Sequence, residues 1–394
     1  MTNIAVFLNN GPEDGGAFQY NQTIIDAFIE LPQAEFNRKI FYTNNYWKDY
    51  LVGYPYDLIE LKLSPRLNKI LKLITYFKLP IAIRKALLYL LAPNVARHLN
   101  DEEIDLLIFP SQDTISLFTT VPKVSVIHDL MHRYESHFPE VSQNGRIKYR
   151  DRLFKAFCDE AKGIIVDSKV GSIHVQESYH ISGENIYELP FLPPPYIIDQ
   201  SPVPPGFGEK YQDLPSKFLF YPSQFWAHKN HKNLLLAVHS LLSEGISINL
   251  VFGGKLIYGY KDVAQLVEKL NLQKNITFLG YIPNEFLKGI YLKSAGLVMP
   301  TYFGPTNIPP LEAIFLGRPM AVSGIYGMPD QLGGAALYFN PNSVNEIAEK
   351  MKMLWIDENV VNDLIEQGKE VAKKWNKKEF NKRFNDIVKN LIVL

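Results

Sequence analysis

Four places along this chain of 394 residues carry groups suited to an anion and its neighbouring hydroxyls. In "PTYFGPTNIPPLEAIFLGRPMAVSG" (301–325) the turn is uncharged, and Glu312, expected in the first turn of the following helix, is the one carboxylate. A carboxylate there accepts two hydrogen bonds from vicinal hydroxyls such as those of a ribose. It equally suits a helix dipole with no ligand present. Pro309 and Pro310 pre-set φ at the start of that helix, and Thr306 or Asn307 can cap it. In "YPSQFWAHKNHKNLLLAV" (221–238) Lys229 stands just ahead of a helix, where its ammonium and the positive end of the dipole would hold a diphosphate. The plainer reading is a solvated lysine in a basic turn. His128, closing the apolar run "KVSVIHD", can donate to a substrate hydroxyl or be a satisfied strand-end histidine. Gly15-Gly16, directly before a helix, lets backbone N–H groups approach an anion, or is simply a turn; no GxGxxG fingerprint accompanies it. The spacing of His128, His132 and His137 matches no metal-binding pattern, so no metal site is expected.

These groups need a rigid frame, and the pattern around them supplies one. Apolar runs of strand length at 3–10, 105–111, 123–129 and 163–168 alternate with amphipathic helical segments. Six more such runs follow at 218–223, 248–254, 275–282, 296–302, 318–324 and 335–340. Nearly continuous hydrophobicity suits parallel strands buried on both faces, and two such arrays predict an α/β chain with two open parallel sheets. The proline-dense stretch 189–215 reads as a stiff linker between them. The expected domains are 1–198, 199–374 and a terminal helix, 375–394. Lysine plus arginine equals aspartate plus glutamate at 41 each, so nothing points to nucleic acid. The single cysteine, Cys158, excludes an intrachain disulfide and a cysteine-built metal site. With no leader-like segment and no long uninterrupted apolar run, a soluble or peripheral protein of the cytoplasm is expected.

Five blocks now fall into one order: "HDLMHRYESHFPE", "SQFWAHKNH", "FLGYIPNEFLKGIY", "NIPPLEAIFLGRPMAVSGIYGMPDQLGGAALYFNP" and "WNKKEF". In order and spacing they resemble the retaining GT-B glycosyltransferases usually called family 4. The resemblance covers nearly the whole chain and is strongest from 218 to 345. It implies two Rossmann-like domains whose parallel sheets face a cleft, with the last helix crossing back to the first domain. It further implies a nucleoside diphosphate sugar as donor, retained configuration without a protein nucleophile, and no required metal or other cofactor. Glu312 looks like the ribose-binding glutamate that ends the E-x7-E pattern, and Lys229 like the lysine on the donor diphosphate. Gly16, beside Gly15, resembles the glycine of the loop that closes over that diphosphate. His128 resembles the histidine that contacts the donor sugar, and Gly280 lies in the "FLGYI" run expected along the base.

Two charged donor contacts of the pattern are missing: Gly304 stands where the first acid of E-x7-E belongs, and Gln224 where an arginine precedes the lysine. The "FGPTN" turn resembles a subset lacking that first acid. The donor hydroxyls are then expected to meet backbone N–H groups of Pro305, Thr306, Asn307 and Ile308 and the Asn307 amide. The resulting expectation is transfer of a hexose from a GDP- or UDP-linked donor to a glycan or lipid-linked hydroxyl, in cell-surface polysaccharide assembly. Two alternatives stand beside it: a catalytically idle GT-B module that binds nucleotide sugar or glycan, and a GT-B sugar-nucleotide epimerase. In "RLNKILKLITYFKLPIAIRKALLYLL" (66–91), Lys69, Lys72, Lys78, Arg84 and Lys85 interrupt an apolar helical pattern. That segment suits either an anionic membrane surface or core helices with a solvated basic face.

Overall fold

Strand β1, Thr2–Leu8, buries five residues in succession, as a strand flanked by helices on both faces must. The computed structural model describes residues 1–54, 57–199 and 202–393. They divide into two units: Met1–Tyr134, Gln143–Leu192 and Lys377–Leu394 form the first, and Glu135–Ser142 with Pro193–Asn376 the second.

The first unit adds β2 (Phe36–Tyr42), β3 (Asp57–Glu60), β4 (Leu106–Phe109), β5 (Lys123–Ile127), β6 (Gly163–Val166) and β7 (Ile186–Glu188). They form a parallel sheet in the order β3-β2-β1-β4-β5-β6-β7. The second unit holds β8 (Leu219–Pro222), β9 (Leu250–Gly253), β10 (Ile276–Phe278), β11 (Gly296–Met299), β12 (Met320–Ser323) and β13 (Leu337–Phe339). Their order, again parallel, is β10-β9-β8-β11-β12-β13. In each sheet the order reverses once, at β1/β4 and at β8/β11. Loops leaving the strands there diverge and open a crevice, the place where doubly wound sheets take ligands.

Three first-unit strands carry no continuous apolar signal. In β2 the run Asn37-Arg38-Lys39 hides the strand, yet Arg38 is buried. Its Nη1 donates to the carbonyls of Ile29 (2.5 Å) and Leu31 (2.7 Å), at the end of the helix Gly16–Ile29. Helix ends leave carbonyls without intrahelical partners, and a guanidinium from the neighbouring strand satisfies them.

The proline-rich stretch departs from a simple linker. Pro195 begins a one-turn helix, Pro195–Ile198, and Phe207–Lys210 forms another. Proline is well tolerated at a first helical position, so its density did not preclude helix there. Gln200 and Ser201 of that stretch, and Leu394 of the tail, lie outside the described residues.

The tail is two helices, Glu358–Lys374 and Lys377–Val393, interrupted at Trp375. The second buries Phe380, Phe384, Ile387, Val388 and Leu391, one helical face, and belongs to the first unit. The 66–91 segment folds as helices Pro65–Tyr76 and Ile81–Leu91. Of its six basic residues, Arg84 is the one that is buried. It donates from Nε to the Leu79 carbonyl at 2.9 Å and pairs with Glu160 at 2.5 Å.

Replacing Arg38 with methionine should lower unfolding free energy by about 2–3 kcal/mol, because buried carbonyls lose their donor. Urea unfolding at unchanged slope would report it, and a parental midpoint would contradict the capping role.

Candidate functional site

The crevice of the second unit is built from the two turns that leave β8 and β11. After β8 the chain passes through a single 3-10 turn, Ala227–Lys229, then Asn230 in the left-handed region (φ 58°), then the helix His231–Ser243. That reversal sets Lys229 one residue ahead of a helix N-terminus. Asn230 tolerates positive φ better than most residues and is held there. Its Nδ2 donates to the Pro300 carbonyl (3.0 Å) and the Pro341 carbonyl (2.8 Å). The two turns are also joined directly: Tyr302 N–H donates to the His228 carbonyl at 2.8 Å, and Phe303 stacks on the His228 ring at 3.8 Å.

The second turn explains its own lack of charge. Gly304 has φ +98°, and a Cβ there would come within 2.7 Å of the Thr306 carbonyl oxygen. No acid can stand at 304 without remaking the turn, because both the torsion and the space favour glycine. Asn307 occupies the N-cap position of the helix Ile308–Phe315, but its side chain does not cap it. Instead Nδ2 donates to the Phe303 carbonyl at 3.1 Å and closes the turn on itself. Its N–H donates to Gln331 Oε1 (3.2 Å) and its carbonyl accepts from Gln331 Nε2 (3.0 Å). These bonds correct the expected donor set for a bound sugar. Pro305 has no N–H, that of Asn307 is engaged, and the Asn307 amide NH2 already donates to the Phe303 carbonyl. Thr306 is buried, and Ile308 presents the first N–H of the helix.

Glu312 lies in the second turn of this helix rather than the first, since the helix begins at Ile308. It is 2% exposed, and Tyr291 Oη donates to its Oε2 at 2.6 Å. Burial pushes its carboxyl up to about 7, with the tyrosine hydrogen bond pulling the other way. A carboxylate poised there gains from further donors: hydroxyls binding it would favour the ionised form.

Gln224, in the arginine position, leaves Oε1 buried with no hydrogen-bond partner among the described residues. Gly280 takes φ +68°, and its carbonyl accepts from Gly254 N–H at 2.8 Å, fixing the loop after β10 against that after β9.

Glu140 and Phe138, distant in sequence from both turns, complete the arrangement. Glu140 Oε1 accepts from the His228 N–H at 2.9 Å and also meets His228 Nδ1. Burial would raise the Glu140 carboxyl, but the hydrogen bonds from His228 outweigh it and hold it below its ordinary value. Phe138 packs on Tyr302 (5.3 Å) and Phe303 (5.2 Å), and Glu135 accepts from the Tyr326 hydroxyl. Sequence reading missed these residues, although "HFPE" and "AHKN" both fell within the aligned blocks.

In the first unit, Gly15 (φ 59°) is the N-cap of the helix Gly16–Ile29, so the diglycine spans the helix start rather than preceding it. His128 follows β5, lies edge-on to Tyr20 at 4.9 Å, and its Nε2 is buried without a partner among the described residues. Burial pushes its imidazole down to about 4, so it is neutral at physiological pH. Where β1 and β4 diverge, Asn9 Nδ2 donates to Asp113 Oδ2 and Ser111 Oγ to Asn10 Oδ1, both at 2.8 Å. Burial holds the Asp113 carboxyl above its ordinary value. His132 packs on Phe154 and is fully buried, whereas His137 is exposed. Among the described residues no group of three or more His, Cys, Asp or Glu gathers as a metal site, and none of their helices is long and apolar enough to cross a membrane. Cys158 is buried and its thiol is pushed up to about 12, so it is no nucleophile.

With this geometry in hand, comparisons with known proteins acquire a physical content. Residues 209–371 match the family described as "Glycosyl transferases group 1", a span that contains both crevice turns, Lys229 and Glu312. O-antigen chain mannosyltransferase B of Escherichia coli is 27% identical over 215 residues, 53% of this chain and 56% of that protein. O-antigen chain mannosyltransferase RfbU of Salmonella typhimurium is 33% identical over 125 residues, 30% of this chain and 32% of that protein. The chain thus aligns with about half, or less, of the length of these relatives. Among solved structures, sucrose-phosphate synthase from Thermosynechococcus elongatus superposes with a TM-score of 0.72 at 15% identity, covering 100% of both chains. Anabaena Alr3699/HepE, in complex with UDP and glucose, gives 0.72 at 16% identity over 99% of each. At such identities the likeness speaks for fold alone: the chain has the GT-B fold of two Rossmann-like α/β domains, and residues 209–371 are similar to the glycosyl transferases group 1 family.

Proposed function

We propose that this protein is a retaining glycosyltransferase that moves a hexose from a nucleoside diphosphate sugar to a hydroxyl of a glycan or lipid-linked acceptor. The observation that carries the reading is the clasp of the β8 and β11 turns. It sets Lys229 ahead of one helix and leads directly into a second helix that bears the buried Glu312. In the reaction the bond from the anomeric carbon to the diphosphate breaks as the acceptor oxygen bonds to the same face. The acceptor proton passes to the departing diphosphate. Lys229 and the N-terminal dipole of Ile308–Phe315 stabilise the charge that grows on the leaving group. Glu312 accepts from the ribose hydroxyls, and Asn307 Oδ1 with the Ile308 N–H meets hydroxyls of the sugar. His128, neutral and with an unpartnered nitrogen, suits a further sugar hydroxyl. Neither a metal nor another cofactor is part of this scheme.

The names of the mannosyltransferase relatives make mannose the first sugar to test and O-antigen-like cell-surface polysaccharide the first product class. The reading includes peripheral contact with an anionic membrane, supported by the basic helices of 65–91. Transfer of radiolabelled sugar from GDP- and UDP-linked donors to lipid-linked glycan tests it; a purified, folded protein that neither transfers nor hydrolyses any donor would overturn it.

Glu312→Ala should weaken nucleotide binding by about 1.5–3 kcal/mol, as two charge-assisted hydrogen bonds are lost. Because the carboxyl sits near 7 and ribose hydroxyls favour its ionised form, parental affinity should rise with pH through that value. The sign for stability is opposite: a folded value above the ordinary 4.5 means that stability is lost as pH rises from there towards about 7. Calorimetry and thermal melts on the parent and Glu312→Gln, which should lack both trends, check the assignment.

Lys229→Ala should reduce kcat by about 10²–10³-fold with a smaller change in donor KM. Assays in EDTA, where the parent should keep its activity, separate this from any metal effect; a change confined to KM would make Lys229 a ground-state anchor.

Gly304→Glu should fail to raise transfer and should cost about 1–3 kcal/mol of stability, since it forces positive φ and a backbone collision. A stable, faster variant would show that the turn tolerates the acid.

A further inference from the structure

The first unit contains a cavity of about 500 Å³ between the end of the helix Pro65–Tyr76 and the helix Arg146–Glu160. Its acids are all engaged. Asp151 accepts from Arg133 at 2.8 Å, Asp159 from Lys155 at 2.8 Å, and Glu160 from Arg84 at 2.5 Å. Its other cations are not. Lys78 and Lys148 line it and have no acidic partner among the described residues. Arg152 has none either: its Nη1 donates to the Tyr76 carbonyl at 2.8 Å, and the guanidinium lies 4.6 Å from that ring. Tyr149, also in the lining, keeps a buried hydroxyl with no hydrogen-bond partner among the described residues. Three uncompensated cations and a spare hydroxyl donor are the composition of a phosphate site.

What surrounds the cavity says where that phosphate resides. Leu73, Tyr76 and Phe77, on the stretch of chain that leads into it, are 59%, 52% and 63% exposed. Residues 61–100 contain eight lysines and arginines and no aspartate or glutamate, in a chain whose net charge is zero. Exposed apolar side chains on a stretch of chain whose charged residues are all basic match the interface of an anionic bilayer, where the rings enter the acyl boundary and lysines meet headgroups. We propose that this cavity binds the phosphate headgroup of an anionic membrane lipid, with Lys78, Lys148, Arg152 and Tyr149 as its ligands and the 73–77 stretch inserted beside it. The proposal rests on the membrane contact included in the proposed function and assigns it a lipid site apart from the donor crevice; it does not depend on the transfer chemistry.

Flotation of the full chain with vesicles tests it, using phosphatidylcholine alone and phosphatidylcholine mixed with an equal part of phosphatidylglycerol. The parent should float only with the mixed vesicles and less at high salt. Lys78→Gln/Lys148→Gln should lower that affinity about thirtyfold; both side chains are exposed, so thermal melts should match the parent. Lys269→Gln/Lys274→Gln on the second unit should bind as the parent does. Leu73→Ser/Phe77→Ser should weaken binding that survives at high salt. Equal affinity of the Lys78/Lys148 variant and the parent, or no preference for the anionic vesicles, would overturn the proposal. So would release by millimolar inorganic phosphate combined with no effect of Leu73→Ser/Phe77→Ser, which would make this a site for a free anion.

Discussion

The hydrogen bond from the Tyr302 N–H to the His228 carbonyl, 2.8 Å long, is the constraint on which the crevice of the second unit depends. β8 and β11 are neighbours in the sheet, but their following loops diverge because the crossover direction changes there. Left alone, two diverging loops would be mobile. Here one backbone bond, the stacking of Phe303 on His228 and the two carbonyls gathered by Asn230 make them a single body. Glu140 then holds the same His228 from the other side, through its N–H and its ring. Lys229, the residue after His228, inherits this rigidity, which the proposed stabilisation of a leaving diphosphate requires.

The crevice is economical in negative charge for a physical reason. A second carboxylate near a diphosphate would repel it and offset the lysine. Gly304 removes that carboxylate by conformation, since its torsion and the nearby Thr306 carbonyl leave no room for a side chain. Glu312 remains, but burial raises its carboxyl to about 7 and the Tyr291 hydroxyl satisfies one oxygen. Under the proposed donor binding, its charge would develop most fully when ribose hydroxyls share it.

The first unit carries the contrasting electrostatic problem. Several of its acids are paired within the fold: Asp101 with Lys39, Glu160 with Arg84, Asp151 with Arg133. The helices of residues 65–91 are left with cations and exposed apolar side chains on the same surface. That combination is the basis of the proposed amphiphilic interface.

The sequence by itself determined the periodic part of this protein. All six strands of the second unit, the two turns at their reversal and the break at Trp375 are written in local apolar runs and turn residues, because burial period and backbone torsion are local properties. Lys229 and Glu312 were legible as candidates for the same reason: the local pattern predicts a helix beginning just after Lys229 and another that carries Glu312. Strand β2 was not legible, since Arg38 reads as polar until the helix end it satisfies is folded against it. Nor was the docking of 135–142 on the second unit, the closure of the turn by Asn307, or the cavity lined by Lys78 and Arg152. Each of these depends on which distant groups meet, and on how much water leaves when they do. Only the tertiary structure decides that.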